Sequence, residues 1–321
     1  MLVLKVFICE VIGCVEVLVG LVVNTFILVT NLKDWWTSRK LKPYDQIMVN
    51  LGLSRVCLLS CFFFRITNRV FKLELYSSPA QRSVFRAAQL LFDFSSLWFA
   101  MWLCFLYFVK ITIFKNHFLL RVKLRIPQLV PPAIIITYAV AFIFGFILAF
   151  FIKETADIMD NNNLPANKSV YKELSYMIPS YVFGHFLPFI FASISTSLLI
   201  HAISGHVRHV KNNVTGFTRP RLDAHLSLIR SAVLLEFMTV CNLLATFIFQ
   251  FDFYGHFETN VSFLFLVSYP LFHSLAIISG NAKLKRALWG VVGCVKGKVA
   301  VERFPITQQI ETKRQTTAQQ K

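Results

Sequence analysis

The stretch Ser268–Gly290, SYPLFHSLAIISGNAKLKRALWG, changes character at its middle. An apolar run carrying Pro270 stops at Gly280-Asn281, and Lys283, Lys285 and Arg286 follow within the next turn. Pro270 removes one backbone hydrogen bond and lets the helix kink, which a membrane span tolerates where neighbouring helices or polar groups cover the freed carbonyl. The basic piece after the break reads as a short helix along the inner leaflet, its cations on anionic headgroups and Leu288 and Trp289 in the interface. The stretch is therefore the end of a last span. The question becomes how many spans precede it.

Composition already favours lipid as the solvent. Of 321 residues, 56% are apolar and 15% aromatic, and Phe alone supplies 34. Charged residues make up 15%, where a soluble domain uses about a quarter. The net charge of +17 would suit nucleic acid on a soluble fold, but here the basic residues fall between apolar runs, so no nucleic-acid partner is expected and membrane lipid is. Crossing a core about 30 Å thick takes about 20 helical residues. Seven stretches qualify, near 6–32, 45–67, 86–111, 128–152, 178–203, 227–250 and 260–280. The first carries no cleavage site and reads as a helix that stays.

Orientation follows from the connections. The segments 33–44, 112–127, 204–226 and 283–321 hold 21 Lys and Arg, and the opposite side holds 7. The basic side is expected to be cytoplasmic, leaving the N-terminus outside. The sequon at Asn167 then falls outside, where a glycosyl transferase reaches it, and the one at Asn213 falls inside. The fold expected is an all-α membrane protein, a seven-transmembrane-helix bundle with a short amphipathic helix after helix 7. Residues 1–294 form that domain, and 295–321, polar and rich in Gln and Thr, form a disordered cytoplasmic tail. Of seven cysteines, six lie inside apolar stretches, so no disulfide framework is expected. Cys294, after the basic segment, suits reversible acylation.

A few residues stand out within the spans. Charge costs about 2.5–3.5 kcal/mol at the bilayer centre, so Arg55 needs a partner or a wet cavity. Counting along the helices places Arg55 about 15 Å deep and Asn24 about 12 Å deep, close enough to meet. Tyr107 and Lys110 share a face near the inner end of helix 3, where Lys110 can also snorkel to lipid phosphate. Phe94, Trp98, Met101, Trp102 and Phe105 recur at helical spacing as one stripe, which fits packing as readily as a binding wall. His185 is either a pocket donor or an interfacial side chain. His206 and His209 lie three apart with His225 beyond, but without a carboxylate or Cys they read as a solvated surface, and neither a metal site nor a cofactor is expected.

The order of short motifs narrows the class. GLVVNTFI with Gly20 and Asn24 lies in helix 1, and RKLKPYDQIMVNLGLSR enters helix 2 and ends at Ser54-Arg55. LWFAMWLCFLYFVKI follows in helix 3, HFLPF in helix 5, NNVTGFTRPRLDAH before helix 6, and the Tyr-Pro, His-Ser, Gly-Asn and Lys-Leu-Lys series closes the opening stretch. In this succession, over about nine tenths of its length, the chain resembles the type 2 taste receptor family, the bitter taste receptors. Helix 6 departs from the family's SFLLLY-like run, reading SAVLLEF with Glu236 inside the span.

The resemblance implies a G-protein-coupled receptor of the plasma membrane that detects bitter small molecules and activates a gustducin-like heterotrimeric G protein. It implies a ligand pocket at Phe94, Trp98, Met101, Trp102, Phe105, His185, Glu258, Thr259 and Ser262, with Glu258 suited to basic ligands. It implies an activation switch of Asn24, Arg55, Tyr107, Lys110, Pro270 and His273. The G-protein face would use Lys123, His206, Lys211, His225, Lys283 and Lys285. Association with further receptor copies stays open. A type 1 vomeronasal-like pheromone receptor is the nearest alternative, and a transporter the next, although internal repeats are missing. No enzyme is expected, since no paired carboxylates, His-rich cluster or activated nucleophile stands out.

Overall fold

The computed structural model describes residues 2–39, 41–71, 73, 78–112, 117–160, 177–213, 219–251 and 256–293. Side chains at 148–160, 206–228 and 250–260 lie outside that description. Among the described residues eight α-helices follow one another: α1 Leu2–Ser38, α2 Pro43–Phe71, α3 Pro79–Ile111, α4 His117–Asp160, α5 Leu187–Asn213, α6 Arg219–Phe251, α7 His256–Gly280 and α8 over 282–293. α5 continues a helical lead at 177–181 through a π-helical turn, Val182–Phe186. Seven of these helices are long and apolar enough to cross a membrane, and no strand occurs among the described residues. This is a seven-helix membrane bundle.

Local chemistry sets the helix ends. Ser78 caps α3 by accepting from the Gln81 backbone N–H while the Gln81 side chain accepts from the Ser78 N–H, and Pro79 fills the first helical position. At the other end of α3, Lys123 Nζ donates to the carbonyls of Lys110 and Thr112 at 3.3 and 3.0 Å. Asn281 Oδ1 accepts from the Lys283 N–H at 2.9 Å and so caps α8, whose Leu288 and Trp289 are exposed.

α4 departs from expectation. Residues 117–127, read as part of a connection, belong to the helix, and Pro127, Pro131 and Pro132 lie inside it without ending it. A chain in lipid has no water with which to satisfy an unwound backbone, so the helical state survives losses that would break it elsewhere. The same helix presses against α3: a Cβ on Gly145 would stand 3.0 Å from the Ala87 carbonyl oxygen.

α3 packs against α2, α4 and α5. The apolar core joins Val17 of α1, Leu58, Leu59, Phe62 and Ile66 of α2, and Phe263 and Val267 of α7. Arg65, also in α2, lies over the rings of Phe249 and Phe263, 5.0 and 4.9 Å from their centroids.

Candidate functional site

A fully buried guanidinium organises the middle of the bundle. Arg55 Nη1 donates to Ser274 Oγ on α7 at 2.7 Å, and its Nε donates to Ser96 Oγ on α3 at 3.2 Å. The Ser274 hydroxyl in turn donates a hydrogen bond to Asn24 Oδ1 on α1 at 2.7 Å. Asn24 Nδ2 donates to the carbonyls of Gly20 at 2.8 Å and Pro270 at 3.4 Å. The network thus ties α1, α2, α3 and α7, and it bonds the carbonyl of Pro270, the proline inside α7. The face of the Tyr269 ring receives the guanidinium at 5.6 Å, and Tyr269 lies 5.1 Å from His273, centroid to centroid. Both rings are buried.

The end of the bundle near the α1–α2 connection holds a second contact. Tyr107 of α3 and Tyr44 of α2 share a hydroxyl hydrogen bond, with rings 5.1 Å apart and edge to face. Lys110 Nζ sits 5.8 Å from the Tyr44 ring centre. The pair expected on α3 therefore converges on one residue of α2.

At the opposite end, the shape follows from Pro188. This proline has no N–H, and in the π turn each N–H reaches five residues back, as Leu187 N does to the Val182 carbonyl. The carbonyl of Phe183 is thereby left without its donor along the chain. Trp98 Nε1 fills the gap across the bundle at 3.2 Å. One residue on, Gly184 lies under the Phe94 ring so closely that a Cβ there would stand 2.2 Å from Phe94 Cε1. Phe94 also meets His185 edge to face at 5.2 Å, and His185 Nε2 lies 3.8 Å from Asp93 Oδ2.

The aromatic stripe of α3 spans an arc of about 100° at 3.6 residues per turn, and its edges face different neighbours. Phe94 is buried against α5, and Met101 borders a small cavity among α3, α5, α6 and α7. Trp98, Trp102 and Phe105 instead border a groove of about 450 Å³ against α4, where Trp102 Nε1 donates to Thr137 Oγ1 at 3.2 Å. Spacing showed the stripe but not this division. Ser262 is buried on α7; Glu258 and Thr259 belong to that helix with side chains outside the described set. The side chains of His206, Lys211 and His225 lie outside it too, as do Asn167, Asn213, Cys294 and the tail. Lys283 and Lys285 lie on α8.

Sequence reasoning passed over Tyr44, Ser96, Tyr269 and Ser274 as functional positions. Tyr44, Tyr269 and Ser274 each stood inside a motif already noted, Pro-Tyr, Tyr-Pro and His-Ser, so the signal was present without its partner. Ser96 carried none.

Comparison with known proteins decides the family. The family model for "Taste receptor protein (TAS2R)" matches residues 1–296. This chain belongs to the type 2 taste receptor family. It is 28% identical to taste receptor type 2 member 39 of Homo sapiens over 283 residues, covering 85% of this chain and 82% of that protein. To the Macaca mulatta protein of the same name it is 29% identical over 282 residues, with the same coverages. Taste receptor type 2 member 4 of Gorilla gorilla gorilla is 29% identical over 279 residues, covering 83% of this chain and 90% of that one. The protein is thus a multi-pass G-protein-coupled receptor of the taste type, and its homologues point to a receptor rather than an enzyme.

Proposed function

We propose that this receptor sits in the plasma membrane with its N-terminus extracellular, detects bitter small molecules between its outer helix ends, and activates a gustducin-like heterotrimeric G protein. Family membership supports the class. The observation that carries the mechanism is the unbroken polar link from Asn24 through Ser274 to Arg55 and Ser96, which meets α3 beside the Trp98–Phe183 contact and away from the Tyr44–Tyr107 contact. A buried charge held by neutral hydroxyls has few alternative arrangements. Helices that shift at one end therefore disturb the link as a unit, and α7 transmits the shift to the other end.

In this reading, ligands touch Phe94, Trp98, Met101 and His185 first, with Trp102, Phe105, Glu258, Thr259 and Ser262 around them. Apolar and aromatic walls bind varied molecules through area and ring stacking, and an affinity of about −8 kcal/mol suffices for micromolar detection. Asn24, Arg55, Pro270 and His273 form the central switch, and Tyr107 with Lys110 forms the inner latch on Tyr44. The inner connections and α8, with Lys123, His206, Lys211, His225, Lys283 and Lys285, face the G protein. Asn167 carries a glycan. Residues 1–294 act as the receptor domain and 295–321 as its tail.

The test is a calcium response in cells expressing the chain with a promiscuous G protein, screened against a bitter-compound panel. Agonists are expected, and Trp98→Ala should raise their EC50 by about ten- to hundredfold at normal surface expression. Unchanged dose curves across all agonists would remove Trp98 from the ligand path, and a silent receptor at the cell surface would remove the reading itself.

A further inference from the structure

We propose that the small cavity bordered by Glu236 is a cation subsite, taking the protonated amine of a small bitter molecule with the Glu236 carboxylate as its counter-ion. The inference rests on the bitter-receptor reading above and names a ligand chemistry within it.

Glu236 lies in the apolar middle of α6, within the span Ile229–Phe249. A carboxylate at that depth is costly unless something of opposite charge answers it. Ser193 Oγ donates one hydrogen bond to its Oε1, which is a neutral partner. Among the described residues Glu236 forms no ion pair. The Glu236 carboxyl group thus borders the cavity with the Ser193 hydroxyl as its hydrogen-bond partner.

The other walls point the same way. Tyr269 and His273 line the cavity from α7 and both are buried; His273 Nδ1 has no hydrogen-bond partner among the described residues, while the Tyr269 hydroxyl lies within reach of Thr239 and Arg55. An unpartnered ring nitrogen and a carboxyl group around one space leave hydrogen-bonding capacity to spare. An ammonium group matches it: its N–H bonds can donate to the Glu236 carboxylate and to His273 Nδ1 together. An anion would meet the carboxylate head on, and an uncharged group would leave it unbalanced.

Size and surroundings set the rest. The cavity measures about 10 Å³, room for one group the size of a water molecule, so it takes the amine head and not the body of a ligand. Leu97, Met101 and Phe189 supply apolar and aromatic walls beside it. Arg55 does not line the cavity, but it lies over the Tyr269 ring within electrostatic reach of Tyr269 and His273; its Nη1 and Nε are bonded to Ser274 and Ser96, and Nη2 has no hydrogen-bond partner among the described residues.

The experiment uses the full receptor in the calcium assay with matched probes: 2-phenylethylamine and 4-phenylbutylamine, their N-acetyl amides, and a panel of neutral bitter compounds. Wild type should respond to at least one amine with an EC50 about ten- to hundredfold below its amide. Glu236→Gln should erase that ratio while neutral agonists keep their dose curves, and Glu236→Asp should retain part of it. Surface labelling checks that each variant reaches the membrane. An amine preference that survives Glu236→Gln, or a parallel loss for amines and neutral agonists, overturns the subsite. A receptor that answers neutral compounds but no amine also overturns it and leaves the bitter reading standing. A surface-expressed receptor silent to every compound sinks both.

Discussion

Ser274 illustrates what one residue decides. Its hydroxyl accepts from Arg55 and donates to Asn24, so a single oxygen closes a link among three helices. Ser274→Ala leaves a buried guanidinium nitrogen and a buried amide oxygen without those partners, a cost of about 1–2 kcal/mol. The variant is expected to reach the surface in reduced amount and to shift basal signalling, as measured by surface labelling and by calcium or inositol phosphate levels without agonist. Normal values of both would show that the link carries neither stability nor signal. In the sequence, Arg55 was conspicuous because a charge inside an apolar run has to be answered. The answering serine was not, since Ser is common in spans and its partner lies 219 positions away.

At the scale of an element, the π turn before α5 joins two residues that the sequence presents as unrelated. Pro188 frees the Phe183 carbonyl, and the same turn brings Gly184 under Phe94. Pro188→Ala restores an N–H, permits ordinary α-helical register, and removes the reason for Trp98 to bond that carbonyl. It is expected to raise the EC50 of agonists that depend on Trp98, and its effect should be largely absent in a Trp98→Phe background; additive effects in the double variant would refute the coupling. Gly184→Ala places a methyl group inside the Phe94 ring and should cost about 1–3 kcal/mol. Reduced thermal stability of the detergent-solubilised receptor checks this, and Phe94→Ala should restore it in part. Helix existence was legible here from the apolar run, whereas the turn's register depended on which side chain waited across the bundle.

For the whole molecule, the decisive quantity is which ends of the helices face the cell interior. The bias of 21 basic residues against 7 is the basis for the direction proposed above. Glycan mapping is expected to find sugar on Asn167 and none on Asn213, with the Asn167→Gln protein migrating faster on a gel. Sugar at Asn213 would invert the bundle and exchange the proposed ligand and G-protein ends. The two aromatic contacts of α3, Trp98 with Phe183 at mid-helix and Tyr107 with Tyr44 near its C-terminal end, follow from one helix being long enough to touch both.

The chain by itself determined the solvent, the number of spans and the residues whose chemistry is expensive in lipid. These follow from length, apolar content and charge, each a sum over neighbouring positions that needs no partner. Tertiary structure decided the rest: that Arg55 ends on Ser274 and Ser96, that Tyr107 finds Tyr44, that the α3 stripe divides between α5 and α4, and that Glu236 borders a cavity with Tyr269 and His273. Hydrogen bonds and close packing act over a few ångströms, and only the folded bundle brings positions far apart in the chain within that range.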